Sequence, residues 1–427
     1  MAVRALAREL PAVEERPVMP RGFRAGATIA GIKASGRPDL GILAVDGEAP
    51  ASVAATFTTN LVLAAPVRLS QAHLGEGGGR FGRTRAVIST SGCANAATGP
   101  AGDADQHELA AALSAALGLE PELTLSISTG LIGTRLPVQR IRAALPGLVE
   151  RLEPTEAGLA ALGEQMMTTD SRAKSATVRL ELPDTGGRPV PVTVSGVAKG
   201  VGMIHPRMAT MLALVLTDAE VEPPTLHALL QAAVEPTWNQ LTVDGDTSTN
   251  DTVFLLASGA SGCAPVAAGS AAADTLGRAV MAVARSLARQ QAADGEGATT
   301  LVTCQVSGAR DDGEARAVAR SIVASSLVKA AVHGRDPNWG RIAAAAGNAR
   351  LDGRQVSLDV ERLRIELCGT LVFAGQPIDF EPAAVSARMA EPEVLVWLDL
   401  GLGEGWGEAF GCDLTEEYVV ENSAYST

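Results

Sequence analysis

Period-two strand patterns and amphipathic helical patterns are mixed along this chain, but they do not alternate strictly. That feature restricts the fold to layered α+β, or to α/β with partly antiparallel sheets, because every apolar strand face or helix stripe must be buried against another layer. Ala86–Ser89 reads as a strand entering a turn-rich segment, Thr90–Gly102, and Leu123–Ser128 reads as a strand that breaks at Gly130. Ala176–Leu182 and Val190–Val197 alternate around a hairpin-like loop, Pro183–Pro189. Met211–Leu216, Val253–Ala257, Leu301–Val306 and Val394–Leu398 are further strand patterns. Helical periodicity covers Gln106–Leu117, with Asp103 or Asp105 as cap, and Val138–Leu152, with an interruption near Pro146. It also covers Thr225–Ala233, Ala271–Ala293 and Ala315–Val332. Residues 1–20 read as an extended arm punctuated by proline, and there is neither an internal repeat nor a long Ser/Pro linker.

The layers must pack closely. Seven Phe, four Trp and two Tyr stand against 45 Gly in 427 residues, so the core has to be Ala, Val and Leu set against glycine. Apolar residues at 46% exclude disorder. A net charge of −13, spread along the chain, makes nucleic acid and membrane surfaces poor partners. The five cysteines form no CxxC pair, which signals neither a zinc site nor a disulfide framework. Reduced thiols and the lack of a signal-peptide core or an apolar run of about 20 residues point to a cytoplasmic protein.

Several blocks cluster Gly, Asn and hydroxylated residues. Thr90–Gly99 can turn backbone N–H groups into a cavity, although an ordinary tight turn has the same composition. Ser128-Thr129-Gly130 ends a strand and offers a hydroxyl and an adjacent N–H that can meet at one oxygen, as an oxyanion clamp requires. Met166–Asp170 (MMTTD) is followed by Lys174. Ala198–Met211 carries Lys199, a glycine-containing turn, and Ala209-Thr210 before an apolar strand. Thr210 is either a common β-former or a nucleophile released by chain cleavage. A threonine hydroxyl needs a base beside it, and a free α-amine on the same residue, with a pKa of roughly 7.7–8, provides one. His205 is a rival base. Thr242–Thr252 (TVDGDTSTNDT) is similar to a calcium loop but has no closing Glu, which rejects an EF-hand. Asp294–Thr299 places Glu296 between glycines. Gly334–Arg341 and the C-terminal Tyr418–Thr427 complete the set. A GxSxG elbow, a P-loop and a GxGxxG after a strand are all missing from the sequence.

Taken in order, these blocks resemble the ornithine acetyltransferase family, the bifunctional glutamate N-acetyltransferases of arginine biosynthesis. The resemblance runs from GFRAGATIAGIK at Gly22 to Thr427 through FTTNLVLAAPV, SGCANAATG, STGLIG, MMTTD, KGVGMIHPRMATML, TVDGDTSTNDTV, DGEGAT, LVKAAVHGRDPNWGRI and YVVENSAYST. It implies an α+β fold with an αββα sandwich like that of the Ntn hydrolases. It also implies a self-cleaving chain, cut between Ala209 and Thr210 into an α chain (1–209) and a β chain (210–427) that assemble as an (αβ)2 heterotetramer. The nucleophile maps to Thr210, and the oxyanion donors map to Thr129 and Gly130. Substrate contacts map to Thr168 or Thr169, Lys199, Thr210, Glu296, Asn422 and Thr427. The implied reaction moves an acetyl group from N2-acetylornithine to glutamate through an acetyl-threonine, with small-molecule amino acids as substrates. It needs no cofactor, and acetyl-CoA stands as an alternative donor. Charge complementarity pairs Lys199 and the C-terminal residues with the substrate α-carboxylate, and Glu296 with the ornithine ammonium.

The chain departs from the family pattern at Cys93, Ser89-Thr90, Leu61, Arg207, Glu421 and Ser423. A paralogue with an altered donor or acceptor, an amidohydrolase or aminopeptidase releasing the acyl group to water, and a metabolite-binding protein on the same scaffold are the alternatives.

Overall fold

The computed structural model describes residues 10–205 and 211–424. Its centre is two sheets laid face to face. The first has the order β1-β2-β5-β6: β1 (Phe23–Thr28), β2 (Leu40–Val45), β5 (Ala86–Cys93) and β6 (Thr124–Leu131). The second has the order β4-β3-β10-β9-β8-β7: β3 (Ala51–Phe57), β4 (Phe81–Thr84), β7 (Lys174–Pro183), β8 (Pro189–Lys199), β9 (Leu212–Thr217) and β10 (Thr252–Ala257). The β5–β6 and β9–β10 pairs are parallel, and the other pairs in these sheets are antiparallel.

Strand alternation makes the layers. In β2, Leu43 and Val45 point into the core shared with the second sheet, where Val53, Leu214 and Phe254 face them. Leu40, Ile42 and Ala44 point outward, onto Leu109 and Leu113 of α2 (Gly99–Leu117) and Ile141 and Leu145 of α3 (Val138–Val149). The second sheet likewise turns Val194, Ala213, Val215 and Leu255 onto Leu226 and Leu230 of α5 (Pro223–Val234) and Val280, Val283 and Leu287 of α6 (Ala271–Ala293). The result is an αββα sandwich. Two further helices, α1 (Ala65–Leu74) and α4 (Glu156–Met166), contribute Val67, Leu159 and Leu162 to the inner core. The close packing expected from the composition is visible at Gly196, where an added Cβ would lie 2.9 Å from Leu287 Cδ1 on α6. At Gly41 it would lie 2.5 Å from Leu162 Cδ1 on α4.

A third sheet, of order β15-β14-β16-β11-β17, has its own core. It contains β11 (Leu301–Ala309), β14 (Arg364–Leu367), β15 (Thr370–Ala374), β16 (Glu393–Asp399) and β17 (Gly405–Cys412). It packs against α7 (Asp312–Val323), α8 (Ser326–His333), α9 (Trp339–Gly347) and α10 (Pro382–Arg388), with a short hairpin of β12 (Arg350–Leu351) and β13 (Arg354–Gln355) alongside. The last helix, α11 (Glu416–Ala424), returns from this sheet to the cleft of the sandwich. None of the helices among the described residues is long and apolar enough to cross a membrane.

Three local expectations are corrected. The first helix of the outer layer begins at Gly99, so Asp103 and Asp105 lie inside it and do not cap it. Asp105 instead forms a two-pronged pair with Arg135, at 2.6 and 2.7 Å. Pro146 does not interrupt α3, which ends only at Val149, although its missing N–H removes one hydrogen bond to the preceding turn. The pattern Ala315–Val332 is two helices, because the Ser325 hydroxyl accepts from Val328 N and starts a new one.

Candidate active site

The parallel strands β5 and β6 end side by side, and their ends make one wall of a cavity of about 240 Å³. Gly130 sits at φ +125°, where a Cβ would come within 2.3 Å of the Gly92 carbonyl carbon. Only glycine allows that approach, and it leaves the Thr129 side chain and the Gly130 backbone lining the cavity together. The strand end is fastened from the opposite sheet. Asn250 Nδ2 donates to Ser128 O at 2.9 Å and to Ala94 O at 2.7 Å.

Lys199, the last residue of β8, enters from the second sheet with its side chain only 3% exposed. Its Nζ donates to Thr129 Oγ1 at 3.2 Å and to Thr168 Oγ1 at 2.9 Å, and lies 3.9 Å from Asp170 Oδ2. Burial pushes its amine down in pKa, and Asp170 opposes that shift. Thr168-Thr169-Asp170 follows α4 in a turn closed by Asp170, whose Oδ2 accepts from Thr168 N at 3.1 Å. Asp170 Oδ1 accepts from Gly200 N and from the buried Lys174 Nζ, both at 2.8 Å. Burial works against the Asp170 carboxylate, but Lys199, Lys174 and the Gly200 N–H prevail and hold its pKa at about 2. Lys174 also donates to Asp294 at 2.6 Å, which ties this turn to the DGEG loop.

That loop carries Glu296. Its Oε1 accepts from Thr169 Oγ1 at 2.9 Å, and its Oε2 accepts from Asn422 Nδ2 on α11 at 2.9 Å. Gly202 faces it, and a Cβ there would lie 2.2 Å from Glu296 Oε2. Both threonines of MTTD therefore line the cavity, Thr168 on the lysine side and Thr169 on the glutamate side. The cavity lining thus holds the buried cation Lys199 together with the carboxylates Glu296, Asp244 and Asp246.

Thr129, Gly130, Thr168, Thr169, Lys199, Glu296 and Asn422 all meet at this one cavity. Ala209, Thr210 and Thr427 lie outside the described residues, as does Arg207. Met211, the residue after Thr210, is buried immediately before β9. His205 turns its Nδ1 to Thr242 Oγ1 at 3.2 Å, and burial and Arg320 lower its pKa. The Cys93 thiol points to Thr134 O at 3.2 Å and packs in the outer core among Leu109 and Ile141, so this departure does not alter the cavity wall. Leu61 is 98% exposed. Asp170, Asp244, Asn250 and Tyr418 carry no direct signal in the sequence. Their only trace was membership of blocks already marked as unusual. Tyr418 lines the same cavity, and burial, with Asp244 and Glu296 nearby, raises its hydroxyl pKa.

The fold is a four-layer αββα sandwich like that of the Ntn hydrolases, with a polar cavity walled by the ends of β5 and β6. The family model named ArgJ matches residues 24–427. The chain is 43% identical over 423 residues to the arginine biosynthesis bifunctional protein ArgJ of Thermosynechococcus vestitus, covering 95% of this chain and 97% of that protein. It is 46% identical over 413 residues to the protein of the same name from Thermus thermophilus, covering 96% and 99%. Among solved structures, the Bacillus halodurans ArgJ is 37% identical with a TM-score of 0.47, covering 49% of this chain and 96% of that one. The Mycobacterium tuberculosis ornithine acetyltransferase complexed with ornithine is 38% identical with a TM-score of 0.41, covering 46% and 97%. This chain belongs to the ArgJ family.

Proposed function

We propose that this enzyme of arginine biosynthesis moves the acetyl group of N2-acetylornithine to glutamate, in two half-reactions at one threonine. The observation that carries the reading is the convergence of a strand-end Thr129-Gly130 pair, buried Lys199 and Glu296 on one cavity, with the segment that begins at Met211 anchored beside it.

Cleavage between Ala209 and Thr210 gives Thr210 a free α-amine. Its hydroxyl then attacks the acetyl carbonyl while the α-amine takes the hydroxyl proton. The Thr129 O–H and Gly130 N–H donate to the oxygen that becomes negative, and they stabilise the tetrahedral intermediate. The C–N bond breaks, the departing ornithine nitrogen takes the proton, and an acetyl ester remains on Thr210. The α-amine of glutamate attacks this ester, and Thr210 Oγ leaves with its proton restored. Both bonds exchanged are α-amides, so the transfer is near balance and needs no ATP. Acetyl-CoA, a thioester, could enter the same first half-reaction as an alternative donor.

Charge supports the substrate assignment. Lys199 suits the anionic α-carboxylate, and the Glu296 end suits the ornithine ammonium. For glutamate, the Asn422 amide already donates to Glu296 Oε2 and so tempers the charge that a side-chain carboxylate would face at that end. The sheet order bears on assembly. β3, β4, β7 and β8 precede the cleavage point and β9 and β10 follow it, yet all six form one sheet. After cleavage the two chains stay hydrogen-bonded through β8–β9 and β3–β10. Pairs of such units form the (αβ)2 assembly. A donor and acceptor screen on purified protein tests this reading. Transfer from N2-acetylornithine to glutamate supports it, and release of free acetate whether or not glutamate is present contradicts it.

A further inference from the structure

Strand alternation fixes which side chains of β5 face the inner core. Val87 points into it, and Ala86 and Ile88 point outward onto the helices. Continued without a break, that period would turn Cys93 inward and Ala94 outward. The opposite is observed, with Cys93 in the outer core and Ala94 in the inner one. The pairing with β6 supplies the reason. Its register shifts between Gly92 and Cys93, where Cys93 stands opposite both Thr129 and Leu131. A bulge-like irregularity of this kind re-aims the side chains that follow it. Here it brings Ala94 to the wall of the cavity that Thr129 and Gly130 line.

Ala94 is held there from both sides. Its N–H donates to Leu131 O at 2.9 Å, and its carbonyl accepts from Asn250 Nδ2 at 2.7 Å. The next residue, Asn95, sits at φ +48° and donates from Nδ2 to Gly102 O at 2.9 Å. The buried Ala94 Cβ is therefore a fixed boundary. Ile132, one residue past the end of β6, packs against the same inner core and lines the same cavity. Ala94, Ile132 and Met203 are the apolar side chains in a lining otherwise built from glycines and polar groups. Met203 belongs to the turn that Asp244 holds, its N–H donating to Asp244 Oδ2 at 2.5 Å. Ala94 and Ile132 instead adjoin the oxyanion donors, since the bond to Leu131 joins their two chain segments.

An acetyl group has an oxygen and a methyl to place. Ordinary bond lengths put the methyl carbon roughly 2.4 Å from the oxygen. Once Thr129 and Gly130 hold the oxygen, the methyl must rest on a surface that adjoins them. A polar surface would lose hydrogen bonds to water under the methyl, and an apolar one loses none. Resting on the oxyanion reading above, we propose that Ala94 and Ile132 form the acyl subsite of this enzyme, and that the Ala94 Cβ limits the transferred acyl group to two carbons. A propionyl group carries one more methylene toward this wall. Because the wall is fixed, it should reject that methylene by about 10–200-fold, the range for one methylene in an apolar pocket.

The test measures kcat/KM for N2-acetylornithine and N2-propionylornithine, with glutamate as acceptor, in wild type, Ala94→Gly and Ile132→Ala. Wild type should favour the acetyl donor by about tenfold or more. Each variant should cut that preference by about tenfold, chiefly by gaining on the propionyl donor. Inhibition by ornithine, which carries no acyl group, should be unchanged in both, whereas general damage to the site would weaken it. Should Ala94→Gly not fold, Ile132→Ala decides by the same ratio. Equal use of the two donors by wild type, an unchanged preference in the folded variants, or a preference that shifts only together with weakened inhibition by ornithine would overturn the proposal. A wild type that transfers neither acyl group to glutamate would instead defeat the transfer reading on which it rests.

Discussion

Lys199 Nζ stands 3.2 Å from the hydroxyl oxygen of Thr129. An ammonium only donates, so the threonine oxygen must accept, and its own hydrogen must point away from the lysine. The remaining direction is the cavity that Thr129 lines. The same logic applies to Thr168, 2.9 Å from the same nitrogen. Lys199 thus sets which way two hydroxyls face, and Asp170 behind it supports the charge.

This arrangement predicts coupling. Thr129→Ala should leave cleavage intact and lower kcat by about 10²–10³, the usual loss of one oxyanion donor. Lys199→Met should lose at least as much, because it releases both hydroxyls. A double variant should fall well short of the product of the two losses, since one residue acts through the other. Steady-state kinetics on the three proteins checks this, and fully multiplicative losses would contradict it.

A second prediction concerns acid stability. The Asp170 carboxyl, held at about 2 in the folded protein, ionises far below its ordinary value of 3.8. A depressed folded pKa adds stability that is fully present above about pH 4 and is lost as pH falls toward 2. The contribution is about 2 kcal/mol at neutral pH. Asp170→Asn also leaves the buried Lys174 with Asp294 as its remaining carboxylate, and it should cost about 3–5 kcal/mol at pH 7. Urea midpoints from pH 7 to pH 2.5 should show the gap between variant and wild type narrowing below pH 4. A gap constant across that range would remove Asp170 as the acid-sensitive group.

How far the sequence carried is explained by locality. Strands with strong alternation, such as Ala176–Leu182 and Val190–Val197, were legible, and the helix Ala271–Ala293 was read to its end residues. Phe23–Thr28 and Ala51–Phe57 were not read as strands, since their Ala, Gly and Thr content carries little periodicity and their burial comes from facing sheets. Thr129, Lys199 and Glu296 were found because each stands in an unusual block. Asp170 and Asn250 look like ordinary turn residues in one dimension. Their roles arise from partners 30 and 122 residues away.

A third prediction tests the polarity of the cavity. Glu296→Gln keeps an acceptor for Thr169 but removes the charge opposite the ornithine ammonium. KM for N2-acetylornithine should rise by roughly tenfold, while KM for glutamate should be unchanged or fall, in line with a lost charge-assisted hydrogen bond. Equal effects on both substrates would place the ammonium elsewhere.

The central claim is that one threonine carries the acetyl group between two amino acids. Incubating the purified enzyme with isotopically labelled N2-acetylornithine alone, then measuring the mass of the β chain and of its first peptide, tests it most directly. The account predicts a labelled acetyl group on the peptide beginning at Thr210, discharged when glutamate is added. An unlabelled peptide in enzyme that still transfers acetyl, with intersecting double-reciprocal lines, would mean direct transfer between two bound substrates and would contradict it.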